Sequence, residues 1–202
     1  EISACLVGSE MCIRDSSKRT IEELHKMGIE TYMLTGDNKK TASTVASAGG
    51  IDNVCAGVLP ENKLDIVKNL QKEDKTVLFV GDGINDAPAL TQANIGVAMG
   101  NGTDIAMESG DIVVMEGDLE NVVAAVQFSK KVMTRIKENL FWAFAYNVIL
   151  IPLAAGALYA GFGIMFMPEW SALAMALSSV TVISLSLALK GYVPAIKKET
   201  KS

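Results

Sequence analysis

The chain has 202 residues, of which half are hydrophobic, and its 18 basic and 23 acidic side chains give a net charge of −5. The acidic balance argues against nucleic acid as a partner, because domains that bind nucleic acid present a basic surface. Three cysteines without a Cys-x-x-Cys spacing predict neither a disulfide framework nor a zinc site.

The first elements carry no evident chemistry. Residues Ile2 to Val7 have the pattern of a strand, to which we assign no function. Residues Ser17 to Met27 read as a helix, on which the only histidine, His25, is expected to be a plain surface residue.

A strand from Ile29 to Leu34 leads into Thr35-Gly-Asp-Asn38, and residues 39–46 then read as a helix. A hydroxyl, a glycine and a helix start together can form an anion site, because unpaired N–H groups point at the ligand. The alternative is an ordinary helix cap by Asp37 or Asn38. The residues of this segment alone leave both open.

A third helix is predicted to open at Glu61, after Pro60, with Leu64, Val67 and Leu70 along its inner side. Lys63 lies in its first turn, where a cation is unfavourable against the helix dipole. Such a lysine would sit more easily beside a bound phosphate. A solvated lysine at a helix start is the more ordinary case for any single residue.

The most informative segment is residues 80–90, VGDGINDAPAL, which follows the apolar run Val77 to Val80. Asp82 and Asp86 are thereby placed beyond the carboxyl end of a buried strand, where open α/β sheets bind their ligands. Two carboxylates on a tight glycine turn suit Mg²⁺, which takes carboxylate, phosphate and water oxygens. The segment predicts a magnesium site rather than a solvated surface turn.

These motifs resemble those of the phosphorylation domain of P-type ATPases, a branch of the haloacid dehalogenase-like fold. The matching strings are residues 33–38 (MLTGDN), 59–63 (LPENK), 80–90 (VGDGINDAPAL) and 96–106 (GVAMGNGTDIA). The resemblance covers roughly residues 15–193. It implies an α/β, Rossmann-like parallel sheet, present in part, followed by a two-helix transmembrane hairpin.

The resemblance also implies roles for individual residues in phosphoryl transfer from ATP. Thr35 and Gly36 would hold the phosphoryl group and Lys63 would neutralise it. Asp82 would ligate Mg²⁺ and Asp86 would support the same site. Further catalytic positions carried over with the motifs are Asp37 and Asn85.

The family nucleophile is an aspartate in the string DKTGT, which this sequence lacks. Residues 74–76 (DKT) lead into a strand instead of leaving one, so we read them as a turn. Residues 1–14 do not resemble the family and suggest a foreign junction, with the likeness resuming near Asp15. We therefore expect the C-terminal part of a larger pump, inactive alone, whose missing N-terminal portion is its partner.

The C-terminal third is apolar. Residues 139–168 and 170–189 contain no charged side chain, and a spanning helix needs about 20 apolar residues. We place spans at 140–159, with a kink at Pro152, and at 170–189, both facing membrane lipid. Basic flanks put both ends in the cytoplasm of a plasma-membrane protein.

The predicted domains are residues 15–125 for the phosphorylation part, 126–139 for a stalk, 140–190 for two spans and 191–202 for a cytoplasmic tail. One apolar face of the connecting helix can be followed through the stalk, so it could carry motion to the membrane. The last six residues, Lys197 to Ser202, are expected to be disordered or to touch lipid headgroups. The face comprises Leu119, Val122, Val123, Val126, Met133 and Ile136.

Polar residues within the spans are costly and point to cargo. The spans lack acidic and histidine ligands for a hard or borderline cation, whereas a methionine thioether favours Cu⁺. Their pattern resembles the copper-exporting branch of the heavy-metal ATPases, which implies a cuprous site. Its residues would be Tyr146, Asn147, Met175, Ser178 and Ser179.

Alternatives remain at this point. Zinc or silver is the nearest alternative cargo, and helix packing is the ordinary role for serine and methionine in a span. A membrane-tethered interaction module without turnover is a rival of another class. A soluble magnesium phosphatase is a third, although the two apolar segments argue against it.

Overall fold

The structure is a computed structural model that describes residues 2–7, 15–81, 85–100, 109–114, 118–163 and 167–199. The chain divides into two compact units, Glu1–Ala125 and Val126–Ser202. The first unit holds the sheet, and the second consists of helices and their connections.

The first unit is built on a six-stranded parallel sheet in the order β3-β2-β1-β4-β5-β6. This is the doubly wound order typical of Rossmann-like folds, which confirms the predicted α/β class. The strands are β1 (Ile2–Val7), β2 (Glu30–Leu34), β3 (Asn53–Cys55), β4 (Thr76–Gly81), β5 (Ile95–Met99) and β6 (Ile112–Val114).

The strand β1 lies inside the sheet, hydrogen-bonded to β2 on one side and to β4 on the other. The sequence pattern predicts this strand. We expected residues 1–14 to be foreign to the domain. A foreign segment would not be expected to form an interior strand of the sheet, as β1 does. Of that segment, residues 8–14 lie outside the described part of the chain.

The helices of this unit bury the faces that their periodicity predicts. On α2, Ala42 and Ala46 are 1% and 3% exposed, and on α3, Val67 is fully buried. The main core joins α3 and α4 to the sheet through Leu34, Val67, Leu70, Val77, Phe79, Ala89, Leu90 and Ala98. The helices are α1 (Asp15–Lys26), α2 (Lys39–Gly49), α3 (Pro60–Lys72) and α4 (Ala87–Gln92).

A single helix, α5 (Leu119–Ala154), begins in the first unit and continues through the stalk. Its first turns are buried at Leu119, Val122 and Val123. The predicted apolar face does not stay covered, since Met133 and Ile136 are about half exposed. The helix is therefore continuous while the burial of its apolar face is not.

The predicted span 140–159 is covered by two helices rather than by one. Helix α5 ends at Ala154, and a short helix α6 (Ala157–Phe162) follows a turn in which Gly156 has φ of 91°. Pro152 lies two residues before the end, and its missing N–H weakens the helix there. The hairpin of two spans is thus not confirmed.

The last long helix is α7 (Pro168–Leu187), and a 3-10 turn, Ala188–Gly191, continues it. Among the described residues, one helical segment, Ala172–Gly191, is long and apolar enough to cross a membrane. It overlaps the predicted span 170–189. Its large apolar side chains, such as Leu177 and Ile183, are more than half exposed, which fits a lipid-facing helix.

The tail differs from its prediction. Residues Ala195–Glu199 form a short helix, α8, and Ile196 is fully buried. The expectation of disorder is therefore wrong for Lys197 and the two residues after it, while residues 200–202 lie outside the described chain.

Candidate functional site

Three strands end side by side at one edge of the sheet. The register pairs Val7 of β1 with Leu34 of β2, and Leu6 with Val80 of β4. The strand order reverses between β1 and β4, which is where open α/β sheets bind ligands. The segments that follow β2 and β4, both singled out from the sequence, therefore begin at this edge.

Thr35, the first residue after β2, is only 3% exposed. Its hydroxyl donates to Oδ2 of Asp37 at 3.0 Å and accepts from the Asp37 N–H at 3.1 Å. Its own N–H donates to the Cys55 carbonyl at 3.0 Å, which ties the turn to the end of β3. Gly36 and Asp37 are exposed, so this turn presents a fixed backbone to solvent.

The start of α2 is capped by Asn38, whose side-chain oxygen accepts from the Thr41 N–H at 3.0 Å. The capping alternative for this segment is therefore realised. A cap satisfies one of the free N–H groups at the helix start and leaves others available.

Lys63 and Asp86 form the most buried ion pair at this edge. The ammonium donates to Oδ1 of Asp86 at 2.8 Å, and the two side chains are 11% and 2% exposed. No side chain caps the start of α3, where Leu59 is the capping residue. The carboxylate of Asp86 supplies the counter-charge that a cation in this first turn needs.

Gly81 makes room for that pair. A Cβ atom placed on Gly81 would lie 2.7 Å from Oδ2 of Asp86 and 2.9 Å from its Cβ. Any side chain there would force the Asp86 carboxylate away from the end of β4. The glycine was read from the sequence as a turn former, and the structure adds this requirement for close approach.

Of the predicted magnesium pair, the structure describes Asp86 but not Asp82. Asp82 lies outside the described residues, and Asn85 is exposed in the turn before α4. Within the described ranges, no three His, Cys, Asp or Glu side chains group to hold a metal. Asp86 alone supplies a buried carboxylate of the hard-oxygen type that Mg²⁺ prefers, so the donor chemistry fits while the set is incomplete.

The predicted cuprous residues have separate partners. Tyr146 contacts Thr181, with 3.3 Å between the two hydroxyl oxygens. Asn147 donates to the Ala143 carbonyl of its own helix at 2.8 Å, and Ser179 donates to the Met175 carbonyl at 3.3 Å. The side chain of Met175 is exposed and Ser178 is half-buried. These contacts do not gather the five side chains around one point, so the set stays a prediction.

A polar cluster at the opposite edge was missed by sequence reasoning. Oδ2 of Asp52 accepts from the Thr31 N–H and hydroxyl, both at 2.8 Å, and lies 2.9 Å from Nε2 of His25. Burial alone would raise the pKa of Asp52, but these donors together hold it below its ordinary value. His25 is exposed, as the sequence predicted, but it is also part of this network and so is more than a plain surface residue.

A second network joins the starts of β2, β3 and β4. Nζ of Lys75 donates to the Tyr32 hydroxyl at 2.8 Å and to Glu30 at 3.0 Å, and Asn53 donates to Glu30 at 2.7 Å. The Lys75 bond lowers the pKa of Glu30, whereas burial raises that of Tyr32. The adjacent Asp74 has φ of 58° and lies in the turn before β4, whereas Thr76, the last residue of the predicted turn, already belongs to the strand. The alternation of side chains in β2 was the available signal for both networks.

Family comparisons agree with the sheet and its motifs. A profile described as haloacid dehalogenase-like hydrolase matches residues 2–94, and a second profile with the same description matches residues 63–126. The first match begins at residue 2. The expectation that the family likeness resumes only near Asp15 was therefore wrong.

The curated relatives are ion pumps. A probable copper-exporting P-type ATPase from Archaeoglobus fulgidus is 53% identical over 92% of this chain and 23% of its own length. Copper-transporting ATPase 2 of Rhizobium meliloti is 49% identical over 95% of this chain and 23% of its own length. The chain thus spans about a quarter of the length of these relatives.

Solved structures give the same class, and one of them is named for zinc. A zinc-transporting PIB-type ATPase in the E2.Pi state has a TM-score of 0.74 and 32% identity, covering 87% of this chain and 28% of the other. The catalytic domain of a CPx-ATPase reaches 0.51 with 32% identity, covering 56% of this chain and 45% of the other.

Proposed function

Because this chain belongs to the heavy-metal P-type ATPases, within the haloacid dehalogenase-like hydrolases, we propose that it supplies the phosphate-binding edge and membrane segments of an ATP-driven Cu⁺ exporter. The curated relatives are named for copper and a similar solved structure for zinc, so we choose copper on the methionine thioether of the apolar segment. We place the exporter in the plasma membrane with the sheet domain in the cytoplasm, as the basic flanks of the apolar segments suggest.

The observation that carries the phosphoryl-transfer proposal is the buried pair of Lys63 and Asp86, at the sheet edge where Thr35 also lies. A lysine in the first turn of a helix, with its ammonium group near the end of a strand, is placed to bind a phosphoryl oxygen. Asp86 holds the ammonium at 2.8 Å and so fixes its direction before any ligand binds. A preorganised charge costs no reorganisation at the moment of reaction.

Each remaining residue at the edge has a distinct task in this proposal. The Thr35 hydroxyl, which donates to Asp37 at 3.0 Å in the structure, would turn its O–H to the phosphoryl group, and the Gly36 backbone would bind the same group. Asp37 would hold the hydroxyl in place until the phosphoryl group binds. Asp82 and Asp86 would hold Mg²⁺, with Asn85 nearby. Mg²⁺ held by these residues would supply positive charge to a bound phosphoryl group.

The nucleophilic aspartate and the ATP-binding part would come from sequence outside this chain, since the string DKTGT is absent here. The chain alone is therefore proposed to form no phosphoenzyme. In the membrane, the proposed cuprous residues are Tyr146, Asn147, Met175, Ser178 and Ser179. Sulfur and neutral oxygen donors of this kind suit a soft monovalent cation.

The test uses the complete pump. Lys63→Met, and Asp82→Ala combined with Asp86→Ala, should each lower formation of the acid-stable phosphoenzyme at least about a hundredfold, the scale of losing one preorganised charge partner. Matched controls are Lys68→Met and Asp65→Ala, two exposed positions on α3, which should leave the phosphoenzyme level unchanged. Unchanged phosphorylation in the Lys63 and double aspartate variants would show that this edge does not handle phosphate.

A further inference from the structure

The second unit, Val126–Ser202, has one fully buried residue among those that the structure describes, and it lies in the tail. Ile196 is 0% exposed, whereas Val193, three residues earlier, is 44% exposed. An isoleucine in a tail that only grazed the membrane surface would stay partly open to solvent. Its complete burial indicates that the tail is seated against protein.

Two contacts identify what the tail meets. The Ile196 N–H donates to Oε1 of Gln127 at 3.3 Å. The ring of Tyr192 lies 6.2 Å from the ring of Phe128, at an interplanar angle of 34°. Gln127 and Phe128 are consecutive residues of the stalk, so both contacts converge on one turn of helix α5.

The contacts of the tail extend the antiparallel pairing of helices α5 and α7. Tyr146 of α5 pairs with Thr181 of α7, and Asn139 donates to Ser186 at 2.9 Å. Partner numbers on α7 rise as those on α5 fall, so the two segments run in opposite directions. With the pairs Phe128–Tyr192 and Gln127–Ile196, the same order extends past the end of α7.

We propose that residues 192–199 form a strap that binds the stalk at Gln127 and Phe128 and ties the end of α7 to it. The occupant of this stalk surface is the chain's own tail. Lipid headgroups would meet only the exposed basic side chains, such as Lys190 and Lys197. The strap makes the stalk and α7 move together, and it does not depend on the identity of any transported ion.

The experiment measures protection of the tail in the full chain, held in neutral detergent micelles. Hydrogen exchange at residues 195–199 and tryptic cleavage after Lys197 should both be at least about tenfold slower than in the free peptide of residues 192–202, because a docked segment reacts only after opening. Ile196→Ala should remove most of that protection, since it deletes buried aliphatic atoms.

The matched control is Val193→Ala, whose side chain is largely exposed; its rates should stay within about twofold of wild type. Gln127→Ala should speed exchange about threefold or more through loss of one hydrogen bond. Wild-type rates equal to those of the peptide would overturn the proposal without need of any variant. Equal acceleration by the two apolar substitutions, or protection seen only with anionic lipid, would also overturn it.

Discussion

At the scale of single residues, the edge of the sheet buries two charged side chains, Lys63 and Asp86, that neutralise each other. Burying a lone ammonium or carboxylate costs several kcal/mol, so Lys63 and Asp86 each lower the cost of burying the other. Together they are held at 2.8 Å, and Gly81 leaves the space that this geometry needs. A change at any of the three positions would disturb the other two.

The Asp52 cluster makes stability depend on pH. The pKa of Asp52 is lower in the folded chain than in the unfolded one, so its contribution is present above about pH 4 and is lost as the pH falls through the folded value. Asp52→Asn should therefore cost about 1 kcal/mol at pH 7, and the difference from wild type should shrink toward zero near pH 2.

Urea unfolding of the full chain in micelles, followed by far-UV circular dichroism at both pH values, measures this difference. Asp65→Asn, at an exposed site on α3, is the control and should unfold like wild type. A deficit for Asp52→Asn that persists unchanged at low pH would mean that packing, rather than the carboxylate charge, is what the substitution removes.

At the scale of elements, hydropathy and backbone geometry disagree over the first apolar segment. Residues 139–168 contain no charged side chain, and a hydropathy window averages side-chain polarity without regard to backbone geometry. The helix nevertheless ends at Ala154, because Gly156 adopts a left-handed φ of 91°. Pro152 only removes the hydrogen bond to the carbonyl of Val148, one turn earlier. The composition of a segment indicates whether it faces water or lipid, whereas its backbone geometry decides where the helix ends.

Helix α5 makes a specific prediction because it continues without a break from Leu119 through the stalk. Proline inside a helix removes a hydrogen bond and costs about 3 kcal/mol. In the complete pump, Ser129→Pro combined with Thr134→Pro should lower transport about tenfold more than ATP hydrolysis, if the helix carries motion. Vesicle uptake and phosphate release measure the two rates.

The control for the stalk is the same pair of positions changed to alanine, since both side chains are exposed and alanine favours a helix. Transport and hydrolysis should then keep their wild-type ratio. A proline variant that also keeps this ratio would mean that coupling does not require an unbroken stalk.

At the scale of the whole molecule, the chain joins a Rossmann-like unit to a helical unit with exposed apolar faces. Large apolar side chains in water are unfavourable, and a contiguous surface of them is typical of contact with lipid. The identity of the proposed transported ion is a question at this scale, because it would depend on all the donor atoms in the membrane together.

The proposal of copper can be separated from zinc by stimulation of ATP hydrolysis in the complete pump. Cu⁺ should stimulate at least about tenfold more than Zn²⁺ at equal free concentration, since thioether donors favour the softer ion. Met175→Ala should reduce the Cu⁺ response, while Met133→Ala, in the stalk, should not. Preferential stimulation by Zn²⁺ would refute the choice of metal.

The sequence by itself determined the α/β class, the helices α2 and α3 with their buried faces, the family and the apolar C-terminal third. These properties follow from periodicity, glycine turns and composition, which are local along the chain. Sequence reasoning also named Lys63 and Asp86 as members of one site without showing that they form a pair.

Only the tertiary structure decided which side chains meet. The pairing of Lys63 with Asp86, the seat of Asp52 between Thr31 and His25, and the docking of Ile196 beside Gln127 all join residues more than twenty positions apart. Such contacts depend on how strands and helices are stacked, and no local pattern records that arrangement. The same reason explains why sequence reasoning gave no role to Ile196, which is the one buried residue of its unit among those described.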